Sequence, residues 1–150
     1  MQNPELAHLL LSQGYVPIHM KKESSGHLHL QAILNGESGD FILDTGAGGT
    51  VIEISKQEKF GMSQRETEER AAGAGASNLH MQESPGNNLV LDKLELSDRT
   101  LVLMDLSHVN AALQQRGIPE VDGVIGADVL TSQKAVIDYA NLVLYLQENS

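Results

Sequence analysis

The sequence predicts a mostly-β, barrel-like domain with short helices, and three observations carry that expectation. Apolar and polar residues alternate with a period of two in many short segments, the pattern of strands rather than helices. Turn-forming clusters such as Asn35-Gly36, Ser84-Pro85-Gly86-Asn87 and Ser97-Asp98 break those segments at short intervals. The chain has 150 residues, 41% of them hydrophobic. That suits one core, since single domains run to about 100–200 residues.

The elements follow in order. Asn3-Pro4-Glu5 reads as a helix start, with Asn as cap, Pro at the first helical position and an acid in the first turn. Leu6, Leu9 and Leu10 share one face, and Gly14 suits the stop. A strand is expected at 15–20 and a polar turn at 21–26. Leu28, Leu30 and Ala32 then alternate with His27, His29 and Gln31. Residues 35–39 read as a hairpin connection and 40–43 as its return strand. A glycine-rich turn at 44–49 leads into a strand at 50–54 and a short helix at 55–60. The polar stretch 63–70 reads as solvated surface. Strands are expected at 78–83, 89–96 and 100–106, with turns at 84–87 and 97–98. A helix at 108–116 closes on Gly117, and an apolar run follows at 121–126. Asp128 reads as the cap of a helix at 129–134, and a final strand pair is expected at 135–138 and 142–146. No repeat of fixed period is found.

Composition excludes several function classes. Twenty acidic residues against ten basic ones give a formal charge of −10, which argues against nucleic acid, whose phosphates need clustered Lys and Arg. The chain has no Cys, so disulfides, thiolate catalysis and Cys-type zinc sites are ruled out. No apolar run approaches the roughly 18 residues of a membrane span. No signal peptide is visible, which leans toward the cytoplasm and leaves a periplasmic or secreted location open if the chain is truncated. Only Tyr15, Phe41, Phe60, Tyr139 and Tyr145 are aromatic, so the core must be aliphatic and pockets lined by it should favour apolar ligands.

The informative segment is Phe41-Ile42-Leu43-Asp44-Thr45-Gly46-Ala47, an apolar strand delivering an acid straight into a turn. The tripeptide Asp-Thr-Gly alone should occur in roughly a few per cent of chains this long, and an Asx turn would account for it. Its setting adds more. Thr50-Val51-Ile52 resumes as a strand, and some eighty residues on comes Asp122-Gly123-Val124-Ile125-Gly126.

This arrangement resembles the retropepsin-like aspartic proteases, the retroviral proteases and their cellular and bacterial relatives. The resemblance spans roughly His27 to Leu146 and divides the chain into an N-terminal extension, 1–26, and a protease domain, 27–150. It implies an acid-protease barrel with one lobe per chain and Asp44 as the catalytic residue. Thr45, Gly46 and Ala47 would support the active-site loop, with Thr45 hydrogen-bonding across two copies of it. Gly48 would border the substrate, Gly73-Ala74-Gly75 would form a flap tip, and Val124-Ile125-Gly126 would be the second signature before a C-terminal helix. The chain departs from the retroviral pattern at Gly48 and Gly49, where acids are usual, and at Ala127, where Arg is usual. Both halves of an ion pair are thus missing together.

The chemistry fits these residue types. Peptide hydrolysis needs an activated water and a proton for the leaving nitrogen. Two carboxylates about 3 Å apart share one proton, so one serves as base and the other as acid, with no metal or cofactor. The chain carries one Asp-Thr-Gly only: Asp122-Gly123 lacks the Thr and Asp128-Val129-Leu130 lacks the Gly. Two chains must therefore pair about a twofold axis, each giving Asp44. The substrate implied is an extended polypeptide, bound by strand addition.

Other readings stay open beside this one. A domain of the same fold could bind peptide or dimerise without catalysis. Residues 44–50 also look like the phosphate-binding hairpin of the sugar kinase and actin-like ATPases, a fold needing more than twice this length. His27 and His29, on one strand face, could hold a metal with His80, although Gln31 on that face favours a plain polar surface.

Ala47 offers the carboxylate no hydroxyl, which should raise the dyad's apparent pKa relative to Ser there. Ala47→Ser should therefore shift the pH–rate profile toward acid; an unaltered profile would contradict this reading of position 47.

Overall fold

The computed structural model describes residues 4–66 and 81–148. Helix α1 (Pro4–Ser12) ends before Gly14, whose φ of +82° turns the chain into β1 (Tyr15–His19). The expected cap Asn3 lies outside the described residues. Strand β2 (Lys21–Lys22) occupies the start of what reads in sequence as a turn, and it pairs with β3 (Leu28–Leu34). β3 buries Leu28, Leu30, Ala32 and Leu34 on one face, as its alternation predicts.

β3 pairs along its whole length with β4 (Glu37–Leu43). The connection is two residues, Asn35-Gly36, rather than five. Both have positive φ, 51° and 88°, the geometry that matches the twist of adjoining strands. Asn35 is also a structural joint: its side-chain amide donates to Phe60 O and Asn87 Oδ1, and its oxygen accepts Asn88 N–H, each at 2.9 Å.

After the loop at 44–50 come β5 (Val51–Glu53) and a single 3-10 turn at Ile54–Lys56, in place of the longer helix read at 55–60. The Glu53 carboxylate caps that turn by accepting from Ser55 N–H and hydroxyl. Strand β6 (Arg65–Glu66) pairs with β7 (Gln82–Leu91), so this part of the polar stretch is an outer strand; Arg65 bridges Glu83 at 3.3 Å.

β7 and β8 (Leu94–Met104) form the long hairpin of the fold. Their turn is Asp92-Lys93, inside the run read as one strand at 89–96, while the two expected turns are irregularities within strands. Ser84–Asn87 is a bulge with Gly86 at φ +74°, and Asp98 across from it has φ +54°. Buried Asn87 stabilises the bulge by donating to Ser84 O, Ser84 Oγ and Arg99 O. Turn-type residues thus mark strand distortion here, which sequence cannot separate from chain reversal.

The remainder is α2 (Ser107–Gln115), β9 (Gly123–Ile125), α3 (Ala127–Ser132), β10 (Val136–Asp138) and β11 (Val143–Gln147). Asp128 does not cap α3. The helix begins one residue before it, with Gly126 at the cap making no side-chain bond, and Asp128 lies in the first turn.

The strand order closes six strands into a mixed barrel, β3-β4-β9-β5-β8-β7 and back to β3, with β2 and β6 as outriggers. β9 is parallel to β4 and antiparallel to β5, so it fills the slot between two strands joined by the 44–50 loop. A separate sheet, β1-β11-β10, packs across the barrel. The 1–26 segment supplies α1, β1 and β2, and β1 runs along β11 from Tyr15↔Gln147 to His19↔Val143.

The barrel interior is aliphatic around two fully buried rings, Phe41 and Phe60. Each large apolar side chain buried there contributes about 1.5–3 kcal/mol. Ile42, on the opposite face of β4, packs with Leu113, Ile118 and Val121 beneath α2. α1 covers the second sheet through Leu10 against Val143 and Tyr145.

Glu53 offers a pH test of this frame. Burial alone would raise its carboxyl pKa, but hydrogen bonds from the Ser55 hydroxyl and from the Leu106 and Ser55 N–H groups outweigh it and hold the group below its usual range. A lowered folded pKa means stability that is present above the unfolded pKa and lost as pH falls through the folded value. Glu53→Gln should unfold more easily at neutral pH and show a flatter stability profile between about pH 3 and 6. Unfolding curves with an unchanged slope would contradict the assignment.

Candidate active site

Asp44 stands where β4 runs out. Its N–H donates to Ile125 O at 2.9 Å, which extends the β4–β9 pairing by one more residue. The chain then turns on the carboxylate itself: Gly46 N–H donates to Asp44 Oδ1 at 2.9 Å, and Ala47 N–H to Asp44 O at 3.2 Å. This is the local turn expected of Asp followed by small residues. Asp44, Thr45 and Gly46 are exposed in the single chain, and Thr45 makes no side-chain hydrogen bond to a described residue. The motif is therefore offered outward rather than absorbed into the core.

The segment 125–128 braces the loop from behind. Ala127 N–H donates to Ala47 O at 2.7 Å. Thr50, fully buried, accepts Gly126 N–H at 3.1 Å and donates its hydroxyl to Asp128 Oδ1 at 2.8 Å. Val124 and Ile125 are buried between β4 and β5. The sequence-predicted residues Asp44, Thr45, Gly46, Ala47, Gly48, Val124, Ile125 and Gly126 thus come together at one end of the barrel. Gly73, Ala74 and Gly75 lie outside the described residues.

The glycines differ in kind. A Cβ on Gly126 would sit 2.4 Å from Gly49 O and 2.8 Å from Ala47 O, both backbone atoms that cannot yield cheaply. Gly123 is equally constrained, at 2.4 Å from Val51 O. At Gly46 the nearest atom would be Asp44 Oδ1 at 3.4 Å, and at Gly48 nothing lies within 4 Å. Within one chain, then, the motif glycine is not demanded by contacts, whereas Gly123 and Gly126 are. Sequence reasoning named Gly126, but it missed Gly123 as a packing requirement and missed the Thr50–Asp128 pair. Asp128 two residues after an apolar-apolar-glycine run was the available signal, and its reading as a helix cap obscured it.

Asp44 shares no hydrogen bond with another described carboxylate. Asp122 accepts Asp40 N–H at 2.9 Å and faces Lys59 at 3.3 Å, and Asp128 serves Thr50. A cavity of about 610 Å³ lies on the outer side of β3 around His29, Gln31 and Asp40, and no residue of the 44–49 loop lines it. Burial holds the His29 imidazole below its usual range, with Glu23 at 3.5 Å pulling the other way. His27 contacts Ser25, and His80 is not among the described residues. Among the described residues, no three His, Asp or Glu side chains gather as metal ligands would.

The chain matches the family model described as aspartyl protease over residues 30–129. No curated protein sequence matches it. Among solved structures, it is similar to a retropepsin-like aspartic protease from Rickettsia conorii, with a TM-score of 0.57 and 18% identity, covering 90% of this chain and 91% of that one. The EIAV protease complexed with the inhibitor HBY-793 gives a TM-score of 0.54 and 15% identity, covering 79% and 98%. The retroviral protease-like domain of Ddi1 from Leishmania major gives 0.54 and 15%, covering 83% and 97%. At these identities the likeness is one of fold: a retropepsin-like barrel.

The two kinds of glycine separate by substitution. Gly126→Ala should destabilise the fold by about 2–4 kcal/mol, because neighbouring backbone must move. Gly48→Ala should stay within about 0.5 kcal/mol. Equal melting temperatures for the two variants would contradict the packing described.

Proposed function

The chain belongs to the aspartyl protease family, and on that premise we propose that it is an endopeptidase whose water is activated between two Asp44 carboxylates, one from each chain of a homodimer. The observation that carries this reading is the placement of Asp44. A lone acidic residue, at the end of an internal barrel strand, is turned outward on a braced and exposed loop. One carboxylate cannot be both base and acid in the same step. Two brought together by a twofold axis can, because like charges about 3 Å apart retain one proton between them.

In this mechanism the ionised Asp44 takes a proton from the water as it attacks the peptide carbonyl. The protonated Asp44 of the other chain polarises that carbonyl, and a proton then passes to the departing nitrogen. No further group is required. Thr45, exposed in the single chain, bonds across to the partner loop and fixes the separation of the two acids. The substrate is an extended polypeptide bound through its backbone along the loop. Aliphatic surroundings favour large apolar side chains beside the cleaved bond.

Incubation with unfolded casein should yield fragments from the native chain and none from Asp44→Asn. Specific activity should fall on dilution as dimers dissociate. Peptide binding that survives Asp44→Asn, with no cleavage at any pH, would replace this reading with a silent peptide-binding module. A monomer that remains active on dilution would overturn the shared dyad.

A further inference from the structure

We propose that Asp128 is a positioning residue for the catalytic loop, acting through the buried hydroxyl of Thr50 to set residues 44–50 in working shape within each chain before a partner arrives. This rests on the endopeptidase reading above.

The direction of the hydrogen-bond chain is fixed by chemistry. Gly126 N–H can only donate, and it uses a lone pair of Thr50 Oγ1 at 3.1 Å. An ionised carboxylate can only accept, so the Thr50 proton goes to Asp128 Oδ1 at 2.8 Å. Thr50 is 0% exposed, which leaves no water to substitute for either partner. Its carbonyl is engaged as well, accepting Val102 N–H at 3.0 Å. Together with Ala127 N–H on Ala47 O and Asp44 N–H on Ile125 O, these bonds hold the loop at its start, middle and end from the 125–128 segment and β8. Asp128 is the only titratable side chain among them.

A plainer role exists for an acid in the first turn of α3, where it would suit the helix dipole. That role predicts an effect on stability alone. Several features favour positioning. Asp128 makes no ion pair among the described residues, and its carboxylate bonds to the residue that ends the catalytic loop. The adjoining Gly48 and Gly49 bring no side chains of their own to stiffen that loop. The Thr45 contact between chains would then join two loops already formed.

The test uses the full chain with Asp128→Ala, Asp128→Asn, Thr50→Val and the Thr50→Val/Asp128→Ala double variant. Each is assayed on a cleaved peptide at protein concentrations well above dimer dissociation. Melting temperature, the dimer Kd and hydrogen exchange of the Gly126 amide are measured alongside. Asp128→Ala and Thr50→Val should each lower kcat about tenfold or more, since small displacements of reacting groups are costly. The double variant should lose no more than either single. KM should change less than about threefold, the dimer Kd should rise because the Thr45 contact then joins loops not yet formed, and Asp128→Asn, which keeps an acceptor oxygen, should recover most of kcat. Gly126 exchange should speed up about tenfold or more in the Ala and Val variants and stay slow in Asn. Additive losses, an Asn variant as impaired as Ala, or unchanged Gly126 exchange would overturn the proposal. If the native chain cleaves no peptide, the endopeptidase reading fails, and Gly126 exchange alone decides whether Asp128 positions the loop.

Discussion

The structure depends on the insertion of β9 between β4 and β5. Those two strands leave the 44–50 loop between them, and without an intervening strand their inner edges would carry unpaired backbone groups. β9 satisfies both, parallel to one and antiparallel to the other. The contact is close enough to forbid side chains at both ends of β9: Gly123 meets Val51 O, and Gly126 meets the backbone of Ala47 and Gly49. A loop of small residues, otherwise free to adopt many conformations, is therefore held in one by backbone hydrogen bonds from behind. The entropic cost of ordering it is met by the barrel rather than by the substrate.

That arrangement leaves the front of the loop free. Asp44, Thr45 and Gly46 are exposed, and the Thr45 side chain makes no hydrogen bond to a described residue. In the proposed homodimer the value of this exposed front would come from pairing. Strand β11 is flanked on both sides by β1 and β10 of its own chain, so the edges of that second sheet offered to a neighbour are those of β1 and β10. Each chain carries a formal charge of −10, so bringing two such chains together in the proposed dimer would be easier in salt, which screens repulsion beyond about 8–10 Å.

Much of this was legible in the sequence because it depends on local patterns. The alternation of β3 gave its buried face, Asn35-Gly36 marked a hairpin, and Gly117 closed α2. The Asp-Thr-Gly motif and the apolar pair before Gly126 picked out two segments that the structure brings together at one end of the barrel. The misreadings share a physical cause. Ser84-Pro85-Gly86-Asn87 and Ser97-Asp98 have the composition of turns, yet they are strand irregularities supported by Asn87, a buried side chain that bonds Ser84 in its own strand, Arg99 O across the hairpin and Asn35 in the neighbouring one. Asp128 has the composition of a helix cap, yet it bonds to Thr50, 78 residues away in sequence. Gly123 shows no positive φ and no turn; its need arises only from the closeness of Val51 O. Interactions of this kind are set by the closed barrel and leave no short-range signature.

The shared dyad is tested most directly by the distance between the two Asp44 carboxylates in a crystal structure of the assembled protein. The account predicts a twofold pair with oxygens about 3 Å apart and a water between them, the spacing at which one proton is held in common. Two Asp44 side chains on separate surfaces, or a pair too far apart to share a proton, would contradict it.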